Sequence, residues 1–400
     1  MRLPEPAIRA AILYSEEEVR LTAATYFSGS SSQDEAVMTL VVRAVELYGR
    51  EKAFRLLRSA ESLAQTQATV DWLLSELRRD YDLADVDEDN YRFAVALILY
   101  HAGPGVLLQR NGFIDALSMF PDQLRRLLDR RLDMLSWDWN RGWAALEALG
   151  RHTLRKGRFA WNDVLRAACI FETLVRNCET KAATLLRLLR RQYDGGSEAL
   201  MEWLQPLLVR LAGAMRLAPA IPVIVEHLPD DNLNLADEST TALIKIGGDA
   251  VVAAIAEQWA SAGTPFRAAA ADVLENIHTD LCAELCLEFF RAEEDPETKH
   301  CLAHAVLSQF VDEGIEAVRP SVLGHDAGLS PDSLDLRYRL VAVCTVMGES
   351  FPEFEQWRED AVASHWGLGD YQPPRLADGF PLIWSGPKRP RSGKPRPRAR

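Results

Sequence analysis

Apolar side chains recur three and four positions apart along almost the whole chain. Leu124, Leu127, Leu128, Leu132 and Leu135 follow this spacing, with Arg125, Arg126, Arg130 and Arg131 set between them. That pattern is a helix with one apolar stripe and a charged back. The run from Thr184 to Arg191 repeats it. Strand-like alternation bounded by hairpin dipeptides is absent, so the pattern predicts an all-α fold.

Between 237 and 362 the helices themselves recur. Thr264-Pro265, Asp295-Pro296 and Ser330-Pro331 each set a capping side chain before a proline. Proline at the first helical position loses no useful N–H, and its fixed φ suits the helix. After these starts come Phe266–Ile277, Glu297–Phe310 and Leu336–Gly348, helices rich in small residues that close on a bulky one; upstream, Glu238–Gly248 fits the same form. Taking Ile246, Ile277, Phe310 and Met347 as equivalent gives intervals of 31, 33 and 37 residues. A second amphipathic helix follows each, as in Ala250–Trp259.

Helix, short turn and helix at this period, with small residues at the contact, resembles the HEAT and HEAT-like repeat superfamily. The resemblance implies an α-solenoid of helix pairs over 230–362. The chain departs from the family in its irregular period and in lacking the regularly placed Asp and Arg of the best-formed repeats. A shared fold carries no activity with it. Residues 1–80 read as a HEAT-like N-terminal region: Glu18–Phe27 and Glu35–Tyr48 form one pair, and Ser15 with Glu18 forms a capping box ahead of it. Six acids between Asp80 and Asp89 predict an acidic, solvated linker over 81–90. Residues 91–229 form an irregular helical section with breaks at His101–Gly105 and Asp194–Ser197. A C-terminal cap or extended segment is expected over 363–386. The proline-rich basic tail, 387–400, is expected to be disordered.

With 48% hydrophobic and 26% charged residues among 400, the composition is that of a globular chain. The N-terminal Met1–Pro6 lacks the apolar stretch of a signal peptide. The longest apolar run, Phe93–Tyr100, falls far short of the roughly 20 residues a membrane helix needs. The six cysteines sit inside helical patterns, which suits reduced thiols in a cytoplasmic protein. No membrane association and no cofactor are expected.

Charge is unevenly spread. Residues 121–191 carry 15 basic and 8 acidic side chains, residues 192–386 carry 11 and 32, and the tail 387–400 carries 7 and none. Such segregation bears on partners more than on fold. The acidic half is expected to present Glu275, Glu284, Glu288 and Asp312 to a basic protein partner. In the basic segment, Arg141, Arg151, Arg155, Lys156 and Arg158 lie near Trp137, Trp139 and Trp143, where cations beside aromatics suit an acidic partner or single-stranded nucleic acid. The same tryptophans would equally fill a helical junction. Lys388, Arg389, Arg391 and Lys394 of the tail would bind phosphates through counterion release. Cys282 with Cys286, and His300 with His304, are helical-turn pairs whose donors match a tetrahedral zinc, although cysteines on a helix are as often plain core.

No phosphate-cradling glycine loop, Gly-x-Ser-x-Gly elbow or His-Glu-x-x-His is present. The residues therefore point first to a non-enzymatic protein-interaction scaffold. A nucleic-acid binder using 121–191 and the tail is the alternative. An enzyme with its site near Trp137–Trp161 is a third.

Overall fold

Apart from an isolated bridge between Arg2 and Val311, every regular element among the described residues is helical. The computed structural model describes residues 2–81, 83, 86–103, 106–107, 120, 122–156, 161–191, 198–323 and 331–363. The first part of the chain contributes α1 (Glu5–Ala10), α2 (Glu17–Gly29), α3 (Glu35–Tyr48), α4 (Phe54–Ser59), α5 (Gln67–Leu77) and α6 (Glu88–His101). The middle contributes α7 (Asp122–Asp133), α8 (Trp139–Lys156), α9 (Trp161–Arg176), α10 (Ala182–Leu189) and α11 (Glu198–Ala214). Then follow α12 (Ile221–Val225), α13 (Leu233–Ile246), α14 (Asp249–Trp259), α15 (Thr264–Glu275) and α16 (Asp280–Ala292). The described helices end with α17 (Pro296–Ser308), α18 (Asp312–Leu323), α19 (Pro331–Met347) and α20 (Phe354–Ala363).

Two layers run through the C-terminal half. Helices α11, α13, α15, α17 and α19 each pack on the next, and α12, α14, α16 and α18 do the same alongside them. Small residues of α15 and α17 are buried in this packing: Ala270, Ala271, Ala303 and Ala305. The tightest approach joins α11 to α13, where a Cβ added at Gly213 would lie 2.5 Å from the Ala242 Cα. Register between α15 and α17 is held by the buried Gln309 amide, which donates to the Leu274 carbonyl at 3.1 Å. Gly247 and Gly248 take φ of 65° and 77°, a left-handed pair that ends α13 and starts α14 without a longer loop.

Some caps differ from the sequence reading. Asp295 does cap α17, its carboxylate accepting from the Thr298 N–H at 2.9 Å. Thr264, however, lies inside α15, and Gly263 is the capping position. No box forms at Ser15: α2 starts after Glu16 without a side-chain cap, and Glu18 turns away to pair with Arg55. The reciprocal box appears instead at Thr66 and Thr69, ahead of α5. At the end of the acidic stretch, Asp87 caps α6, and Glu88 and Asp89 occupy its first turn, where the helix dipole favours negative charge.

The array does not end at α19. That helix packs on α2, and contacts continue from α2 to α4, α6, α7, α9 and back to α11, a closed circuit. The joint is tied at several points. The Leu3 N–H donates to the Phe310 carbonyl at 2.9 Å, Tyr26 stacks on His278 with ring centroids 3.7 Å apart, and Arg358 of α20 grips Glu16. The far end of α2 reaches Asn276 through Gly29, and the Ser31 carbonyl accepts from Arg216, beyond α11. Phe310 holds a left-handed φ of 51°, costly for a residue with a Cβ, while its ring is buried against Tyr26.

Candidate functional site

Closure builds a polar seam between α2, α15, α17 and α19. Arg339 of α19 lies at its centre, paired with Glu275 at 2.6 Å. The same guanidinium meets the Ser308 hydroxyl at 2.5 Å and the His304 Nδ1 at 3.2 Å. Because a guanidinium can only donate, that Nδ1 is the acceptor and His304 is the neutral Nε2–H tautomer. The Nε2 then lies 3.2 Å from the Nε2 of His300. Burial, with Arg339 beside it, lowers the His304 pKa to about 3. His278 is likewise lowered to about 3, chiefly by burial, and its Nε2–H faces the Tyr26 carbonyl at 3.1 Å. Thr22, Thr25, Asn276 and Val343 complete a small pocket here, with room of the order of one water molecule (about 10 Å³).

The seam redistributes the residues singled out by sequence. Glu275 is not a free surface acid but half of a partly buried ion pair. Glu275 and His304, one expected to bind a partner and the other a metal, share one guanidinium. Cys282 and Cys286 lie 3.8 Å apart in the core, and the Cys282 thiol donates to the Leu274 carbonyl. The contact with Cys282, together with burial, keeps the Cys286 thiol protonated, whereas zinc binds thiolate. Among the described residues, no group of three or more His, Cys, Asp or Glu is placed to hold a metal, so the cysteine and histidine pairs are not brought together.

The tryptophan cluster is largely committed to packing. Trp139 is buried, stacked on Trp143 at 6.0 Å, with Lys181 over its ring at 5.9 Å. Arg141 covers Trp137 at 4.4 Å. Of the nearby cations, Arg131 is turned inward to Glu172 and to the Tyr100 and Ala102 carbonyls. Arg176 donates to the Met134 carbonyl. Arg141, Arg151, Arg155 and Lys156 are exposed on α8, with Arg151 paired to Glu147 at 2.9 Å. Arg158, Lys388, Arg389, Arg391 and Lys394 lie outside the described residues.

The outer layer carries a strong excess of negative charge. Helices α14, α16, α18 and α20 hold 11 acids and 3 cations. Asp249, Glu257, Asp280, Glu284, Glu288, Asp312, Glu313, Glu316, Glu355 and Glu359 are exposed. Two of the cations are engaged: Arg319 forks onto Glu353 at 2.8 and 2.9 Å, and Arg358 binds Glu16. Glu284 and Glu288 sit one turn apart on α16, on the face opposite the buried Cys282 and Cys286. This ridge includes three of the four acids singled out by sequence.

What sequence reading missed is Arg339. The available signal was two arginines, Arg337 and Arg339, set at the head of the apolar run Leu340–Val343. Cations entering a core-facing helix announce internal ion pairs, and Arg337 pairs with Asp360 at 2.6 Å. Comparison with family models, with curated proteins and with solved structures returns no match. Among the described residues, no helix is long and apolar enough to cross a membrane.

Proposed function

We propose that this chain is a non-enzymatic protein-interaction scaffold of the cytoplasm. It is built on a HEAT-like array and captures a basic partner on the acidic ridge of α14, α16, α18 and α20. The observation that carries this reading is the ridge itself, with 11 acids against 3 cations, two of them engaged. Open solenoids offer a concave face to partners. Here α2 closes across the ends of α15 and α17, and recognition falls to the outer layer. Complementary charge across such a surface sets on-rate and selectivity more than affinity.

Nucleic-acid capture through 121–191 has less in its favour. A cation lies over each of the Trp137 and Trp139 rings, Trp139 is buried, and Arg131 and Arg176 are spent on internal carbonyls.

The test is affinity capture with the full chain beside a Glu284→Lys, Glu288→Lys, Glu316→Lys variant, with and without nuclease. Loss of nuclease-resistant partners in the variant is expected. Undiminished capture would remove the ridge from consideration, and partners lost only on nuclease treatment would favour nucleic acid.

A further inference from the structure

We propose that the acidic ridge is occupied by the chain's own basic segment, residues 387–400, which an external partner must displace. This rests on the ridge being the interaction surface. Charge is the first argument. The segment holds seven cations and no acids, while the ridge holds the reverse imbalance. Its four prolines lack amide donors and interrupt any backbone ladder, which favours recognition through side-chain charge.

The exit point of the chain is the second argument. The last described helix, α20, belongs to the ridge: Arg319 of α18 holds Glu353 at its start, and Arg337 of α19 holds Asp360 within it. The chain therefore leaves the array at the surface that carries the opposite charge.

Reach is the third. Residues 364–386, 23 in number, separate Ala363 from Pro387. Fully extended, they span at most about 80 Å, and as a random coil about 25–30 Å. Packed helices lie roughly 8–10 Å apart, so the ridge from α20 to α14 is about 30 Å across. The basic segment can meet every ridge helix. Tethering raises its effective concentration to the order of millimolar, enough for a weak electrostatic contact to compete with a free ligand. Such a contact is screened by salt.

The experiment uses fluorescein-labelled octa-arginine as the probe and two full-length proteins. One is the natural chain; in the other, Lys388, Arg389, Arg391, Lys394, Arg396, Arg398 and Arg400 are all replaced by Gln. All described helices are retained in both, and circular dichroism checks this. At low ionic strength the neutralised chain should bind the probe at least about tenfold more tightly, with the gap closing as salt shortens the screening length. Adding Glu284→Lys, Glu288→Lys and Glu316→Lys to the neutralised chain should abolish that gain.

Equal affinities for the two chains would overturn occupancy by the tail and leave the ridge reading standing. Binding that is absent from both, or insensitive to the charge reversals, would overturn both. A parallel arm uses labelled poly(U) RNA and the isolated 387–400 peptide. If the natural chain binds RNA as tightly as the peptide does, the segment is uncommitted and the proposal fails.

Discussion

A guanidinium enclosed by four helices needs an acceptor for its N–H groups, and Arg339 finds Glu275, Ser308 and His304. Removing it strands a carboxylate that pairs with no other cation among the described residues. Arg339→Leu should lower unfolding stability by about 1–3 kcal/mol in urea titration, the range for losing hydrogen bonds to a charged group. An unchanged midpoint would show that the seam contributes nothing. The two histidines make a pH prediction. Both have folded pKa values near 3, below the ordinary value of 6.5, so the unfolded chain takes up their protons first. Stability is then fully present above about pH 6.5 and falls toward pH 3, by up to about 1.4 kcal/mol per pH unit for each histidine. Asp272 works the other way. Burial, then Glu275 and Asp237, raise its carboxyl to about 6, so the folded state gains a proton between pH 6 and 4. The two histidines outweigh Asp272 taken alone; Glu17 and Glu18, raised by burial, act with Asp272, and His227, lowered by burial, acts with the histidines. His304→Gln should flatten the pH dependence of the melting temperature below pH 6; an unaltered slope would contradict the assignment. The sequence offers only the two arginines at the head of an apolar run as a sign of an internal ion pair; that Arg339 joins Glu275 and His304, which lie on separate helices, is decided by tertiary packing.

At the scale of single helices the sequence was far more informative, because period and caps are local. Apolar spacing located α7, α10, α13, α14, α15, α17 and α19 to within a few residues. Asp295 was legible as a cap because proline follows it and its carboxylate needs only the next turn. Ser15 and Thr264 misled for a physical reason. A cap depends on where the backbone enters helical φ and ψ, and Glu18 had a stronger partner in Arg55, distant in sequence. Asp295→Ala should therefore cost about 1 kcal/mol in thermal or urea unfolding, while Ser15→Ala costs close to nothing. The closest helix pairing makes a sharper prediction. At Gly213 even a methyl would meet the Ala242 backbone, and backbone yields less readily than a side-chain tip. Gly213→Val should destabilise by about 1–3 kcal/mol or more through overpacking. A melting temperature equal to that of the natural chain would mean that α11 and α13 lie farther apart.

Across the whole molecule, charge segregation could be read from composition, and the ridge is where it lands. Closure could not. The pairing of Gly29 with Asn276, or of Leu3 with Phe310, joins residues about 250–300 apart, and no local pattern encodes such a meeting. Repeat logic alone predicts an array with two capped ends; here α2 and α19 supply each other's missing neighbour. Closure covers the ends of α15 and α17 and leaves the acidic outer layer facing solvent, which is the surface on which we propose that a partner is captured. The most direct test is a disulfide between Gly29→Cys and Asn276→Cys. A Cβ at position 29 would lie 3.3 Å from the Asn276 Cγ, the place a cysteine Sγ at 276 would take, so the two side chains come within bridging reach. Under mild oxidation of the native protein, peptide mapping should find an intramolecular 29–276 link in the monomer. Failure of that link to form in a folded double variant, or its appearance only between molecules, would contradict the closed array.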